Sequence, residues 1–94
     1  RSHLPTDAEP LDTLGWVYYK KDLPELAIPL FESCVKKAPN TAAYHYHLGL
    51  ALVKAGQPDR GGASLQRALA KNPDPATAAN VKRAMAQIAP PAVR

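Results

Sequence analysis

Gly15 and Gly49 stand 34 residues apart, each set in the same apolar wording: Leu14-Gly15-Trp16-Val17-Tyr18, then Leu48-Gly49-Leu50-Ala51-Leu52. The same interval takes Ala27 to Gly61, Phe31 to Leu65, Cys34 to Ala68 and Pro39 to Pro73. Small residues return with small ones, large apolar residues with large ones, and a helix-ending proline with another. Such a period is the mark of a solenoid of helical hairpins, in which no hairpin buries its apolar face alone and each gains a core by stacking on its neighbour. The period therefore points to an interaction scaffold, and it does not name what the scaffold holds.

Composition agrees with helices. Alanine and leucine supply much of the apolar content, and long valine-isoleucine-threonine alternations are missing. A chain of 94 residues makes one small domain. It should bury about 60 to 65% of its unfolded surface and be modestly stable. No apolar run approaches the roughly 20 residues of a membrane span, and no charged-then-apolar leader opens the chain. Arg1 in place of methionine reads as a processed product or fragment, with Arg1-Ser2-His3 as a cloning scar outside the fold. The net charge of +4 is spread over Lys20-Lys21, Lys36-Lys37, Lys54, Lys71 and Lys82-Arg83. Most of these sit near expected helix C-termini, where cations complement the helix dipole, so they read as a solvated surface more than an anion patch. A single cysteine, Cys34, excludes an internal disulfide, and its place on an apolar face makes it a small hydrophobe.

Taken in order, Thr6-Asp7-Ala8-Glu9-Pro10 is a helix start, and Leu11, Leu14, Gly15 and Tyr18 form the inward face of the first helix. A second helix is expected from Asp22, with Pro24 in its first turn and Glu25 returning a capping-box bond to Asp22. Its inward stripe is Leu23, Leu26, Ala27, Leu30, Phe31, Cys34 and Val35. Pro29, lacking a backbone donor, should bend or interrupt it. Asn40 or Thr41 caps a third helix with His45, Leu48, Gly49 and Leu52 inward, and Gly56 ends it in a left-handed turn whose counterpart is Asp22. Pro58 opens a fourth helix facing inward with Gly61, Leu65, Ala68 and Leu69, weakened by Gly61-Gly62 and so expected to be the more mobile. Asp74-Pro75 begin a fifth helix reaching about Ile88, with an apolar stripe of Ala78, Val81, Met85 and Ile88. Lys82 and Arg83 fall where a third repeat would need leucine and glycine, so this helix reads as a cap.

These residues resemble the tetratricopeptide repeat. The first match is Leu11, Leu14, Gly15, Tyr18, Ala27, Phe31, Cys34 and Pro39; the second is His45, Leu48, Gly49, Leu52, Gly61, Leu65, Ala68 and Pro73. The resemblance implies an all-α helix-turn-helix solenoid of two such repeats, 8–41 and 42–75, with a capping helix at 76–88 and flexible ends at 1–7 and 89–94. The wording Leu-Gly-Trp-Val-Tyr-Tyr, followed by Tyr-His-Leu-Gly, is also similar to the last repeats of long bacterial arrays, including those linked to exosortase-type export. That likeness implies a bacterial protein of the cytoplasm or periplasm.

In such folds the first helix of each repeat lines a concave groove, and a second stripe answers that need. Asp12, Trp16, Tyr19 and Lys20 share one helical face, and Tyr46, Leu50, Val53 and Lys54 share another. Aromatic and aliphatic side chains rimmed by lysines suit an amphipathic helix or an extended peptide of a partner protein carrying a few acidic groups. Two alternatives stand beside this: the stripe packs against a missing upstream repeat, or it pairs with a second copy in a homodimer. The family's clamp for a C-terminal carboxylate needs lysine and asparagine where Asp12 and Trp16 stand, so a chaperone-tail receptor is not expected.

No catalytic, cofactor or metal residue is expected. Ser64 follows Gly61-Gly62-Ala63 without the glycine of a nucleophile elbow and reads as a helix surface serine. His45 and His47 are two apart and point to different faces, which does not suit metal capture; His45 reads as packed and His47 as solvent-facing. Single-stranded RNA binding is the remaining rival, since helical repeats do read RNA, but this groove offers apolar rather than polar groups.

Overall fold

The computed structural model describes residues 7–88, which hold five α-helices and no strand. They are α1 (Ala8–Lys20), α2 (Pro24–Lys37), α3 (Ala42–Lys54), α4 (Pro58–Ala70) and α5 (Pro75–Gln87). Thr6 and both expected flexible ends, apart from Asp7, lie outside the described residues.

The turns inside the two hairpins are the same turn. After α1, Asp22 takes φ 67° and the amides of Asp22 and Leu23 donate back to the carbonyls of Tyr19 and Tyr18. After α3, Gly56 takes φ 87° and the amides of Gly56 and Gln57 donate to Val53 and Leu52. Both are left-handed helix ends that satisfy the last carbonyls and send the chain back antiparallel. Asp22 is thus the end of α1 and not the cap of α2. Leu23 holds the cap position, no side-chain cap bond forms, and the expected exchange between Asp22 and Glu25 is absent. A left-handed residue cannot also supply the extended geometry of an N-cap. Asn72 closes α4 with φ 55°.

Pro29 does not break α2, which runs unbroken from Pro24 to Lys37. The amide it lacks would have bonded the carbonyl of Glu25, and Glu25 lies in the exposed first turn, where water can serve instead.

The core is built where the 34-residue pattern requires. Ala27, Phe31, Leu48, Ala51 and Leu52 form one buried cluster between the hairpins, and Leu65, Ala68 and Val81 a second beneath α5. Cys34 is fully buried and its thiol donates to the carbonyl of Ala8, tying the end of α2 to the start of α1. Burial, and after it the Asp12 carboxylate, pushes that thiol up to about 11, with Lys37 pulling the other way. Met85 and Ile88 pack on the second cluster, as a capping stripe should. Leu23 and Leu26, expected inward, are instead 41% and 50% exposed, because no described helix lies over that side of α2. Ser64, expected at the surface, is buried on the side of α4 that carries Leu48 and Arg60 around a hollow.

Glycine sets the closest approaches. A β-carbon on Gly15 would lie 2.6 Å from the Phe31 ring. One on Gly49 would lie 2.8 Å from Leu65 and 3.0 Å from the Gly61 carbonyl oxygen, and one on Gly61 2.9 Å from the Gly49 carbonyl oxygen. The Gly61 position in α4 is therefore a packed crossing rather than a weak point. At Gly62 an added β-carbon meets only Ile88, at 3.7 Å.

α1 adjoins α3 and α3 adjoins α5, whereas the backbones of α2 and α4 stay apart, bridged by the Arg60–Glu32 ion pair at 3.2 Å. The odd-numbered helices are thus gathered on the inside of the curve.

Two predictions follow from this packing. Gly49→Ala should lower unfolding free energy in urea by about 1–3 kcal/mol through overpacking, whereas Gly62→Ala should raise it by up to about 1 kcal/mol through helix propensity. Because the native state holds the Cys34 proton more tightly than the unfolded chain, that contribution is whole below about pH 9 and is lost as pH rises toward 11. At pH 8 a disulfide reagent should modify native Cys34 at least about tenfold more slowly than the urea-unfolded chain.

Candidate functional site

The inside of the curve is a trough with α1 and α5 as walls and α3 as floor. α1 contributes Trp16, Tyr19 and Lys20, α3 contributes Tyr46, Leu50, Val53 and Lys54, and α5 contributes Asn80, Arg83, Ala84 and Gln87. Seven of the eight residues expected at the site line it. The α5 residues were not anticipated, although the signal was present: Asn80, Ala84 and Gln87 stand 34 residues after Tyr46, Leu50 and Val53. Helix α5 therefore sits in the register of a third first-helix while its other side caps the core. Lys82 and Arg83 occupy the leucine and glycine places and are both exposed, with Arg83 at the mouth of the trough.

The eighth residue, Asp12, does a different job. Its carboxylate accepts a hydrogen bond of 2.7 Å from Nδ1 of His47, with about a fifth of each side chain exposed. His47 is consequently not solvent-facing, which corrects the sequence reading. Its ring lies 4.7 Å from Trp16, 5.6 Å from Phe31 and 5.5 Å from Tyr46, centroid to centroid. The face of α3 that carries it is the face that leans on the first hairpin, so the imidazole is enclosed by aromatic rings on three sides and by a carboxylate on the fourth. His45 is packed as expected, 4% exposed, with Nε2 donating to the carbonyl of Pro39 at 2.7 Å. The two imidazoles have separate partners, and no group of three metal-binding side chains occurs among the described residues.

The aromatic wall is ordered by further contacts. Trp16 and Tyr19 stack with centroids 5.0 Å apart and planes 19° from parallel. Lys20 places its ammonium 5.5 Å from the centre of the Trp16 ring, and Lys54 places its own 4.1 Å from the centre of the Tyr19 ring. Lys54 also donates to the Tyr19 carbonyl at 3.2 Å and reaches Asp22 at 3.5 Å, so it bridges α3 to the end of α1. Cations over aromatic faces gain from the ring quadrupole while their outer sides stay in water. Burial, with a contribution from Tyr19, raises the ionisation of Tyr46, and Arg83 opposes it from α5. The trough thus has an apolar floor of Leu50, Val53 and Ala84, an ordered aromatic wall, and a rim of Lys20, Lys54 and Arg83.

Comparison with known proteins places the chain. The family model described as the tetratricopeptide repeat matches residues 13–76 and again 48–86. The chain belongs to that family. Over 72 residues, 73% of its length, it is 38% identical to N-alpha-acetyltransferase 25, the NatB auxiliary subunit, of rat, human and mouse. The chain spans about 7% of the length of these relatives. None of the three is bacterial, and the likeness to bacterial arrays gains nothing from them. No solved structure matches.

A double-mutant cycle on Asp12→Ala and His47→Ala tests the link between α1 and α3. Each single change should cost about 1–3 kcal/mol, since each strands a largely buried polar partner. The pair should show a coupling of about 1 kcal/mol. The chain's single tryptophan is Trp16, so its emission should shift to the red in His47→Ala while helical circular dichroism is unchanged.

Proposed function

As a member of the tetratricopeptide-repeat family, this helical solenoid is a protein–protein interaction scaffold. We propose that its trough binds a segment of a partner protein, either an amphipathic helix or an extended peptide. The observation that carries this reading is the meeting of an apolar floor and an ordered aromatic wall from three separate helices under a wholly basic rim. The acids near this face are already engaged, Asp12 by His47 and Asp22 by Lys54. A segment with one or two large apolar side chains for the floor and carboxylates for Lys20 and Arg83 matches the surface in shape and charge. The naming of the mammalian relatives as an auxiliary subunit fits a chain that serves another protein and does no chemistry of its own.

A second reading, in which the trough is filled by another part of a longer polypeptide, is favoured by the small share of the relatives that the chain spans. Single-stranded RNA fits less well, because the Trp16 and Tyr19 faces that bases would stack on are already taken by each other and by Lys20 and Lys54.

A photo-crosslinking amino acid at position 50, compared with one at exposed position 66 on α4, separates these readings in cells. The expected result is a crosslink from position 50 to a different polypeptide, abolished by Lys20→Glu with Arg83→Glu. Crosslinks confined to the protein's own polypeptide would overturn the partner reading in favour of array packing, and crosslinks to RNA would overturn both.

A further inference from the structure

The second hairpin shows what its leading side is for. Leu48 and Ala51 of α3 are buried in the cluster they share with Ala27 and Phe31 of α2, and Arg60 of α4 reaches back to Glu32 of α2. Ser64, one turn after Arg60, is 2% exposed on the same side. This is a stacking interface in which one hairpin receives the second helix of the hairpin before it.

The first hairpin carries the same side with no cover among the described residues. Stepping back 34 positions from Leu48, Ala51, Arg60 and Ser64 gives Leu14, Val17, Leu26 and Leu30. Val17 is 43% exposed and Leu26 50% exposed, and Leu14 and Leu30 are half-buried. The left-handed turn at Asp22 sets Leu23, 41% exposed, beside them. Every large apolar residue that is exposed among those described therefore belongs to this one side. A patch of this kind on a small domain marks an interface.

We propose that the face of Leu14, Val17, Leu26 and Leu30 is a stacking interface for a further helical hairpin of the same repeat type, distinct from the trough. The occupant is defined by the interface already formed one step along. Its second helix carries a small residue and a large aromatic or aliphatic residue at the places of Ala27 and Phe31, which receive Leu14 and Val17. Opposite Leu26 it carries an apolar side chain, because Leu26 replaces the arginine that pairs with Glu32 and offers that carboxylate nothing. The interface is more apolar than the internal one, with Leu26 and Leu30 where Arg60 and Ser64 stand. It is also independent of whatever the trough binds.

The test supplies that hairpin. A copy of residues 8–41 carrying Glu32→Leu is fused directly before Ala8, so that the 34-residue period continues through the junction, and thermal unfolding is compared with that of the 94-residue chain. The expected result is a single cooperative transition at least about 5 °C higher. Val17→Glu in the acceptor hairpin should abolish that gain while leaving the unfused chain's melting temperature unchanged, and retaining Glu32 in the copy should halve the gain or less. No rise, or a rise indifferent to Val17→Glu, would overturn the proposal. So would a concentration-dependent dimer of the unfused chain that Val17→Glu dissociates, since the occupant would then be a second copy.

Discussion

Where α3 crosses α4, Gly49 and Gly61 leave no room for a β-carbon on either side, and each lies against the other's carbonyl oxygen. Backbone meets backbone there, so the second hairpin closes tightly enough for Leu52 and Leu65 to be excluded from water. The first hairpin reaches the same closeness differently, with Gly15 pressed on the ring of Phe31. Such crossings fix the angle of each pair, and a fixed angle repeated along a chain produces the curve of a solenoid. The trough is a consequence: once α1, α3 and α5 are drawn together inside, residues one helical stripe away from the packing face must converge.

That convergence is then locked by polar contacts that cross between repeats. Asp12 and His47 join α1 to α3 beneath the aromatic wall, while Lys54 joins α3 to the end of α1 through the Tyr19 carbonyl and Asp22. A largely buried carboxylate–imidazole pair is costly to break, because either partner alone is left without a substitute for water. The side chains that hold Trp16 and Tyr19 in place are thus as much a part of the trough as those that face its opening. An aromatic wall ordered beforehand spends less conformational entropy on binding.

The fold was legible because its signal is periodic: glycines, core residues and helix-ending prolines each repeat, so an error at one position is corrected by its partner 34 residues away. The stripe of trough residues was legible for the same reason. What a single stripe could not show was which sides of a helix meet a neighbour. His47 looked exposed because its own helix places it away from His45, and only the lean of α3 on the first hairpin encloses it. Leu23 and Leu26 looked inward because apolar periodicity records a face that wants covering and says nothing of whether a partner is at hand. The contribution of α5 was hidden by Lys82 and Arg83, which break the packing pattern while the trough pattern at Asn80, Ala84 and Gln87 persists.

The central claim is that α5 continues the register of α1 and α3, so that three helices share one trough. Nuclear Overhauser contacts in the isotopically labelled chain test it most directly. The methyl of Ala84 should show contacts to Leu50 and to the Tyr19 ring across the trough, with Val81 contacting Leu65 behind it. If Ala84 shows no contact to α3 or α1, and Lys82 or Ala86 does, then α5 is rotated out of register, the trough has only two walls, and the account of this surface is wrong.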